Sequence, residues 1–221
     1  MVDHVHSHGS LAGCELFYAG PHGPGLETRT IARGPSQYSS DFATVPGCPG
    51  FTYNHEADKD ELLRLQQHYV DAALRARDTG FDIVNVYGAH AYGPMQWLNP
   101  YYNRRTDEYG GSVENRSRFW IETLEKIRRA LNDDCALVTR CAIDTLRGDK
   151  GVQIGDDGLK FVELASPYLD LWDVSIGDIT EWGEDAGPSR FYKIGHQNDW
   201  VRFIKQATNK RSAEASDDED Q

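Results

Sequence analysis

Two rhythms of apolar residues alternate along the chain. Short, nearly unbroken apolar runs give way to longer stretches in which apolar side chains return every third or fourth position. The run at 11–18, LAGCELFY, ends near Gly20 and reads as a strand. A Gly/Pro-rich stretch over 19–57 follows, and loops of that size carry function or hold small elements of their own. From 58 to 79 the spacing changes. Leu62, Leu65, Tyr69, Ala72, Ala73 and Ala76 form one apolar face, which predicts a helix. Asp58 or Asp60 can cap its start, and Gly80 supplies a left-handed stop. The nearly continuous apolar run 81–87 predicts a strand buried on both faces of a parallel sheet.

The same alternation continues to the end. Ser112 is a good N-cap, Glu114 suits the helix dipole, and Trp120, Leu124, Ile127 and Leu131 share one stripe of a helix reaching about 131. A third strand is expected at 136–142 and a helix at about 157–168, with Leu159, Val162 and Ala165 inward. A fourth strand is expected at 171–176, and a last helix begins near Asn198. Strands joined by helical crossovers lie parallel with right-handed connections. Two α/β architectures satisfy this: an open doubly wound sheet and part of a (β/α)8 barrel. No GxGxxG follows a strand and there is no P-loop, which favours a partial TIM barrel of about four consecutive βα units. This domain is expected over 1–210. The acidic segment 211–221 lacks large apolar residues and reads as a disordered, solvated tail.

Composition narrows the function classes. The 221 residues carry a formal charge of −12, which argues against nucleic-acid binding. No run is long and apolar enough to span a membrane, and the N-terminus lacks a signal-peptide pattern. Cys14, Cys48, Cys135 and Cys141 include no CxxC pair, so the expectation is reduced thiols in a cytoplasmic protein with no metal site. The alternating His4, His6 and His8 read as a solvated helix end rather than a metal site.

The polar chemistry falls after the strands, where barrel enzymes keep their reacting groups. Glu15 and the His22 loop follow the first strand. Tyr87 and His90 lie at the end of the second, and Arg140 near the end of the third. Trp182, Glu184 and Asp185 come after the fourth. Blander readings compete. On these readings Arg140 pairs with Asp144, Tyr87 and His90 fill the barrel, and Trp182 packs in the core. Arg104, Arg105, Asp107 and Arg116 read as a structural ion-pair network, and Tyr101 and Tyr102 as packing.

The block GAHAYGPMQWLNPYYNRRTDEYGGSVENRSRFW resembles the signature of the FMN-dependent barrel enzymes related to old yellow enzyme. VYGAH together with WGEDAGPSRFY resembles the branch containing the trimethylamine, dimethylamine and histamine dehydrogenases. The resemblance runs over about 11–210. It implies an oxidoreductase in which flavin takes a hydride equivalent from the carbon beside an amine nitrogen, leaving an iminium that hydrolyses to aldehyde and amine. It implies Tyr87, His90 and Asp185 as a linked catalytic trio, with Tyr87, Trp182 and Asp185 around a small cationic amine. An alkylammonium is attracted to aromatic faces by about 0.5–2 kcal/mol per ring. Glu15 and Arg140 are implied as cofactor-binding residues at the flavin pyrimidine edge, where a guanidinium stabilises reduced flavin. Ene-reductases and dienoyl-CoA reductases of the same superfamily usually carry His where Tyr87 stands, which makes them the runner-up. A non-catalytic remnant is the third reading.

The resemblance covers only the middle of a barrel. Relatives carry two earlier strands and two later ones, with the covalent flavin cysteine in the former and the phosphate grip in the latter. The FMN site is therefore expected to be incomplete here. The cysteines of the relatives' 4Fe-4S cluster have no match in this sequence. Relatives pass electrons to an electron-transfer protein. Open outer strands predict low stability, or pairing with a second copy or a complementary fragment.

Overall fold

Helix formation begins where the chain can close its own first turn. Asp58 accepts a hydrogen bond from the Glu61 backbone N–H at 2.8 Å, and the Glu61 side chain accepts from the Asp58 N–H at 3.1 Å. This capping box opens helix α2, Lys59–Asp78, preceded by a short α1, Val2–Ser7. Gly80, at φ +91°, stops α2 in the left-handed region that glycine enters without steric cost. The computed structural model describes residues 1–23, 29–37, 54–178, 192–208 and 212–213.

Five strands form one parallel sheet in the order β1–β4–β5–β6–β7: Gly13–Leu16, Ile83–Gly88, Ala136–Ala142, Leu171–Ser175 and Ser212–Ala213. The last is one strand more than the pattern predicts, and it lies at the start of the expected tail. Residues 214–221 lie outside the described residues. A separate two-stranded parallel pair, β2 (Arg33–Gly34) with β3 (His55–Glu56), forms within the Gly/Pro-rich stretch. Helices α3 (Pro94–Leu98), α4 (Val113–Leu131), α5 (Leu159–Ala165) and α6 (Asn198–Thr208) complete the described fold. Ser112 caps α4 as expected, accepting from Asn115 N. A π-turn at Ile154–Gly158 leads into α5, so regular α-helix begins later than the pattern predicts.

The core lies between the helices and one face of the sheet. Val84 and Val86 of β4, Leu137 of β5 and Trp172 and Val174 of β6 are buried there with Phe119, Trp120, Leu124 and Ile127 of α4. Gly88 allows the closest approach: a Cβ there would sit 2.1 Å from the Trp120 ring. Trp120 Nε1 donates to Thr139 Oγ1 at 3.2 Å, and that hydroxyl donates to Val86 O at 2.8 Å. The indole is thus fixed by shape and by a bridge between two strands.

The other face is different, and it corrects one expectation. Burial along β4 alternates, with Val84, Val86 and Gly88 buried and Ile83, Asn85 and Tyr87 only partly so. The strand is therefore not buried on both faces. Asn85 and Tyr87, two apart, put polar groups on the face away from the helices.

The loop between α3 and α4 is held by its own polar groups. Asn103 donates to Trp97 O at 2.6 Å and Tyr109 O at 2.7 Å. Arg105 pairs with Asp107 at 2.5 Å and Glu56 at 3.4 Å, as a structural network requires. Arg116 departs from the expected network and pairs with Asp157 across the α5 entry. At the opposite end of the sheet, Asp82 accepts from His6 and from the Ala12 N–H, both at 2.8 Å, and joins α1 to β1. No helix among the described residues is long and apolar enough to cross a membrane.

Candidate active site

Strand register brings distant residues into one row. Tyr87 of β4 lies opposite Arg140 of β5, and Arg140 lies opposite Asp173 of β6. One step down, Glu15 of β1 lies opposite Asn85. Because side chains alternate along a strand, residues in these rows project on the same face, away from the helices. Four of the expected site residues, Glu15, Tyr87, His90 and Arg140, are thus brought together. Trp182 and Asp185 lie outside the described residues, as does Cys48.

The Tyr87 hydroxyl shares a hydrogen bond with His90 Nδ1, and their rings stack with centroids 6.0 Å apart. The Arg140 guanidinium carbon lies 5.8 Å from the Tyr87 ring centroid, within cation–π range. The expected alternative partner for Arg140, Asp144, is not the one it takes. Arg140 Nη1 lies 3.5 Å from Asp173 Oδ2, while Asp144 accepts from the Leu146 N–H at 2.8 Å. Register explains this: Asp173 stands directly across from Arg140, whereas Asp144 has already left the strand. Asn85 Nδ2 also donates to Asp173 Oδ2, at 3.4 Å. Partial burial raises the Glu15 carboxyl above its ordinary pKa; Arg140 opposes the shift and Asp173 adds to it.

The loop after β4 is locally strained. His90 and Ala91 sit at φ +52° and +58°, in the left-handed region that non-glycine residues rarely adopt. Such conformations cost about 1–3 kcal/mol each and persist where the surroundings impose them. Here the Tyr92 N–H donates to Ala89 O at 2.9 Å, and the Tyr92 ring packs 5.0 Å from Phe17 and 5.7 Å from His22. Phe17 also meets Tyr87 edge-on at 5.4 Å. An aromatic wall therefore spans the loops after β1 and β4.

A second polar group stands nearby. The Tyr102 hydroxyl donates to the buried Asp178 carboxylate at 3.2 Å, and Arg147 Nη1 lies 3.7 Å from the same carboxylate. The Arg147 guanidinium stacks on Tyr101 at 4.3 Å. Tyr102 is thus both packing, being 1% exposed, and a hydrogen-bond donor between loops. Sequence reasoning missed Asn85, Asp173, Arg147 and Asp178. A signal existed for two of them: Asn85 and Asp173 are strongly polar residues flanked on both sides by apolar ones inside the strand runs. A cleft of about 680 Å³ lined by Phe17, Tyr18, Ile31, Arg33, Leu65 and His68 includes none of Glu15, Tyr87, His90 or Arg140. Cys14, Cys135 and Cys141 are free thiols, and burial pushes Cys141 well up. Among the described residues no cluster of His, Cys, Asp or Glu is placed to hold a metal ion.

Comparison with known proteins places this geometry. The model of the NADH:flavin oxidoreductase / NADH oxidase family matches residues 1–219. Over 210 residues the chain is 84% identical to dimethylamine dehydrogenase of Hyphomicrobium sp. (strain x), a match covering 95% of this chain and 28% of that protein. The fold matches histamine dehydrogenase from Rhizobium sp. 4-9 with a TM-score of 0.86 at 36% identity, covering 97% of this chain and 30% of that one. It also matches an old yellow enzyme homologue from Zymomonas mobilis with a TM-score of 0.75 at 20% identity, covering 96% of this chain and 65% of that one, a likeness of fold alone. The chain spans less than a third of the length of the first two relatives. Its parallel sheet and helices are part of a TIM barrel, with the Tyr87–Arg140–Asp173 row on the face away from the helices. The chain belongs to the NADH:flavin oxidoreductase / NADH oxidase family.

Proposed function

We propose that this chain forms part of the active site of an FMN-dependent amine dehydrogenase acting on a small alkylamine. The observation that carries the reading is the Tyr87–His90 hydrogen bond beside Arg140, in a chain 84% identical to a dimethylamine dehydrogenase. Two atoms support a flavin on this face. Arg140 Nε and Asn85 Oδ1 are buried and have no hydrogen-bond partner among the described residues. A donor and an acceptor left in this state suit the alternating acceptors and donors of a flavin pyrimidine edge. Arg140 and Glu15 would hold that edge.

Bound FMN would supply the acceptor for a hydride equivalent from the carbon beside nitrogen. The chain's own residues would bind and orient the amine. The Tyr87 ring offers an aromatic face to an alkylammonium, and its Oη can pass a proton to His90 Nδ1, its hydrogen-bond partner. Trp182 and Asp185 join the proposal from sequence alone, as a second aromatic face and a balancing negative charge. The proposal extends to an electron-transfer protein as acceptor, a cytoplasmic location and association with a second copy. The test is amine-dependent dye reduction by the FMN-loaded chain, set against NADPH-dependent enone reduction. Dye reduction with dimethylamine supports the reading. Enone reduction without amine turnover would transfer the site to the ene-reductase class. An absorbance spectrum showing no flavin uptake, even at FMN concentrations high enough to fill a weak, incomplete site, would sink both.

A further inference from the structure

We propose that Asp173 is a positioning residue of the flavin face: its carboxylate ties Arg140 and Asn85 together across three adjacent strands, and so fixes the direction of the guanidinium and the charge it presents. The inference deepens the reading above and rests on it for the identity of the bound ring. Three observations carry it. Asp173 stands opposite Arg140 in the parallel register, so no loop movement is needed to bring them together. One oxygen, Oδ2, lies 3.5 Å from Arg140 Nη1 and accepts from Asn85 Nδ2 at 3.4 Å, so a single atom couples β4, β5 and β6. The tie engages the terminal nitrogen of Arg140 and leaves Nε without a partner among the described residues.

That division matters physically. An arginine side chain has several rotatable bonds, and an untethered guanidinium facing an open sheet would sample many positions. Anchoring one nitrogen removes that freedom and leaves other donors for a ligand, so less order has to be imposed on binding. Among the described residues, the charged groups facing Asp173 on this sheet face are Arg140 from β5 and Glu15 from β1, with Tyr87 and His90 at the β4 end. Asp173 balances the one cation among them and acts on Glu15 through charge. A row of Glu15, Arg140 and Asp173 sums to one negative charge when both acids are ionised, and to none when Glu15 holds its proton. Asp173 thereby favours the protonated form of Glu15, which donates a hydrogen bond as well as accepting one.

The experiment compares the full chain with Asp173→Asn and Asp173→Glu. The Asn variant keeps the side-chain shape, and the Glu variant keeps the charge. Without flavin, NMR of the Arg140 Nε–Hε group and of the Glu15 carboxyl reads the tie directly. In Asp173→Asn the Arg140 signal is expected to lose order and the Glu15 titration midpoint to move to lower pH. Asp173→Glu is expected to restore both at least in part. With FMN, affinity is expected to fall about tenfold in the Asn variant and to recover in the Glu variant. Unchanged Arg140 order and an unchanged Glu15 midpoint in Asp173→Asn would overturn the inference whatever FMN does. Failure of the unsubstituted chain to bind FMN would instead remove the flavin reading, with the flavin-free NMR still deciding the role of Asp173. Circular dichroism melting of all three proteins separates these outcomes from loss of fold; if Asp173→Asn does not fold, the Glu variant decides, and loss of Arg140 order despite the retained carboxylate would overturn the inference.

Discussion

The two faces of the parallel sheet obey different rules. On the helix side, Val84, Val86, Leu137, Trp172 and Val174 meet Trp120, Leu124 and Phe161 with essentially no exposure; Trp120, Thr139 and Val86 bond one another there, while Trp172 Nε1 is buried with no partner among the described residues. On the other side Glu15, Asn85, Tyr87, Arg140 and Asp173 stand in register, partly open, with buried donors and acceptors to spare. One face is closed and apolar almost throughout. The other keeps charge and unspent hydrogen bonds beside a strained loop at His90 and Ala91. The same backbone serves both because alternate residues of each strand belong to different faces. Stability and chemistry are thus written on interleaved positions, and substitutions one residue apart should have different consequences.

The largest effect should come from emptying the helix side. Trp120→Ala removes a fully buried indole that fills the space above Gly88. Loss of a buried Trp costs about 3–5 kcal/mol, and at about 2–4 °C per kcal/mol the melting temperature should fall by roughly 6–20 °C. Urea unfolding followed by circular dichroism measures this. A loss below 1 kcal/mol would mean that the helix face is not the stabilising one.

The open face should answer the other way. Tyr87→Phe removes one hydroxyl and its bond to His90 while keeping the ring against Arg140 and Phe17. Stability should move by no more than about 1 kcal/mol, the worth of an ordinary net hydrogen bond. Amine-dependent turnover should fall roughly 10²-fold or more, the usual weight of general acid–base catalysis. Turnover within threefold of the parent would remove Tyr87 from the proton path. The pair Trp120→Ala and Tyr87→Phe therefore sharpens the contrast between the faces, since each should be severe in the measurement where the other is mild.

How much of this was legible in the sequence follows the range of the interactions. Helix boundaries set by neighbours in the chain were readable: Asp58 with Glu61, Gly80 and Ser112 all act within a few residues. Strand ends were less so. The second strand starts at Ile83 rather than at 81, because the Phe81 N–H bonds back to Ala76 O and closes the preceding helix. The first strand ends at Leu16 because Tyr18 turns away to donate to Arg33 O at 2.8 Å. Burial pushes that Tyr18 hydroxyl up to about 12. Tyr87, His90, Glu15 and Arg140 were found through their place after strands and their resemblance to a family. The partners that complete the site were not, because Arg140 meets Asp173 only through the register of two strands, and Tyr102 meets Asp178 only where two loops far apart in sequence come together. A lone Asp inside an apolar strand run was the available clue.

A smaller effect tests the helix side at its local start. Asp58→Ala removes half of the capping box at α2 and should cost about 1 kcal/mol, within the usual 0.5–2 kcal/mol for a lost N-cap. Asp58→Asn, which keeps an acceptor, should cost less. Equal losses would show that charge against the helix dipole, not the hydrogen bond, matters at this position.

The smallest effect belongs to neither face but to the far end of the sheet, where Asp82 joins α1 to β1. The Ala12 N–H, first, and His6, second, hold the Asp82 carboxyl below its ordinary pKa. A depressed folded value means that the unfolded chain takes up the proton first as pH falls. The stabilisation is therefore fully present above the unfolded carboxylate value of about 4 and is lost as pH drops through the lower folded one. Asp82→Asn removes this dependence, so its melting temperature should lie slightly below the parent's at pH 6 and converge with it at the acid end. Because Asp82 is on the surface, raising salt should narrow the gap at pH 6. A gap that persists unchanged into acid would mean that the carboxylate acts only as a neutral acceptor for Ala12, and that charge at this end of the sheet contributes nothing.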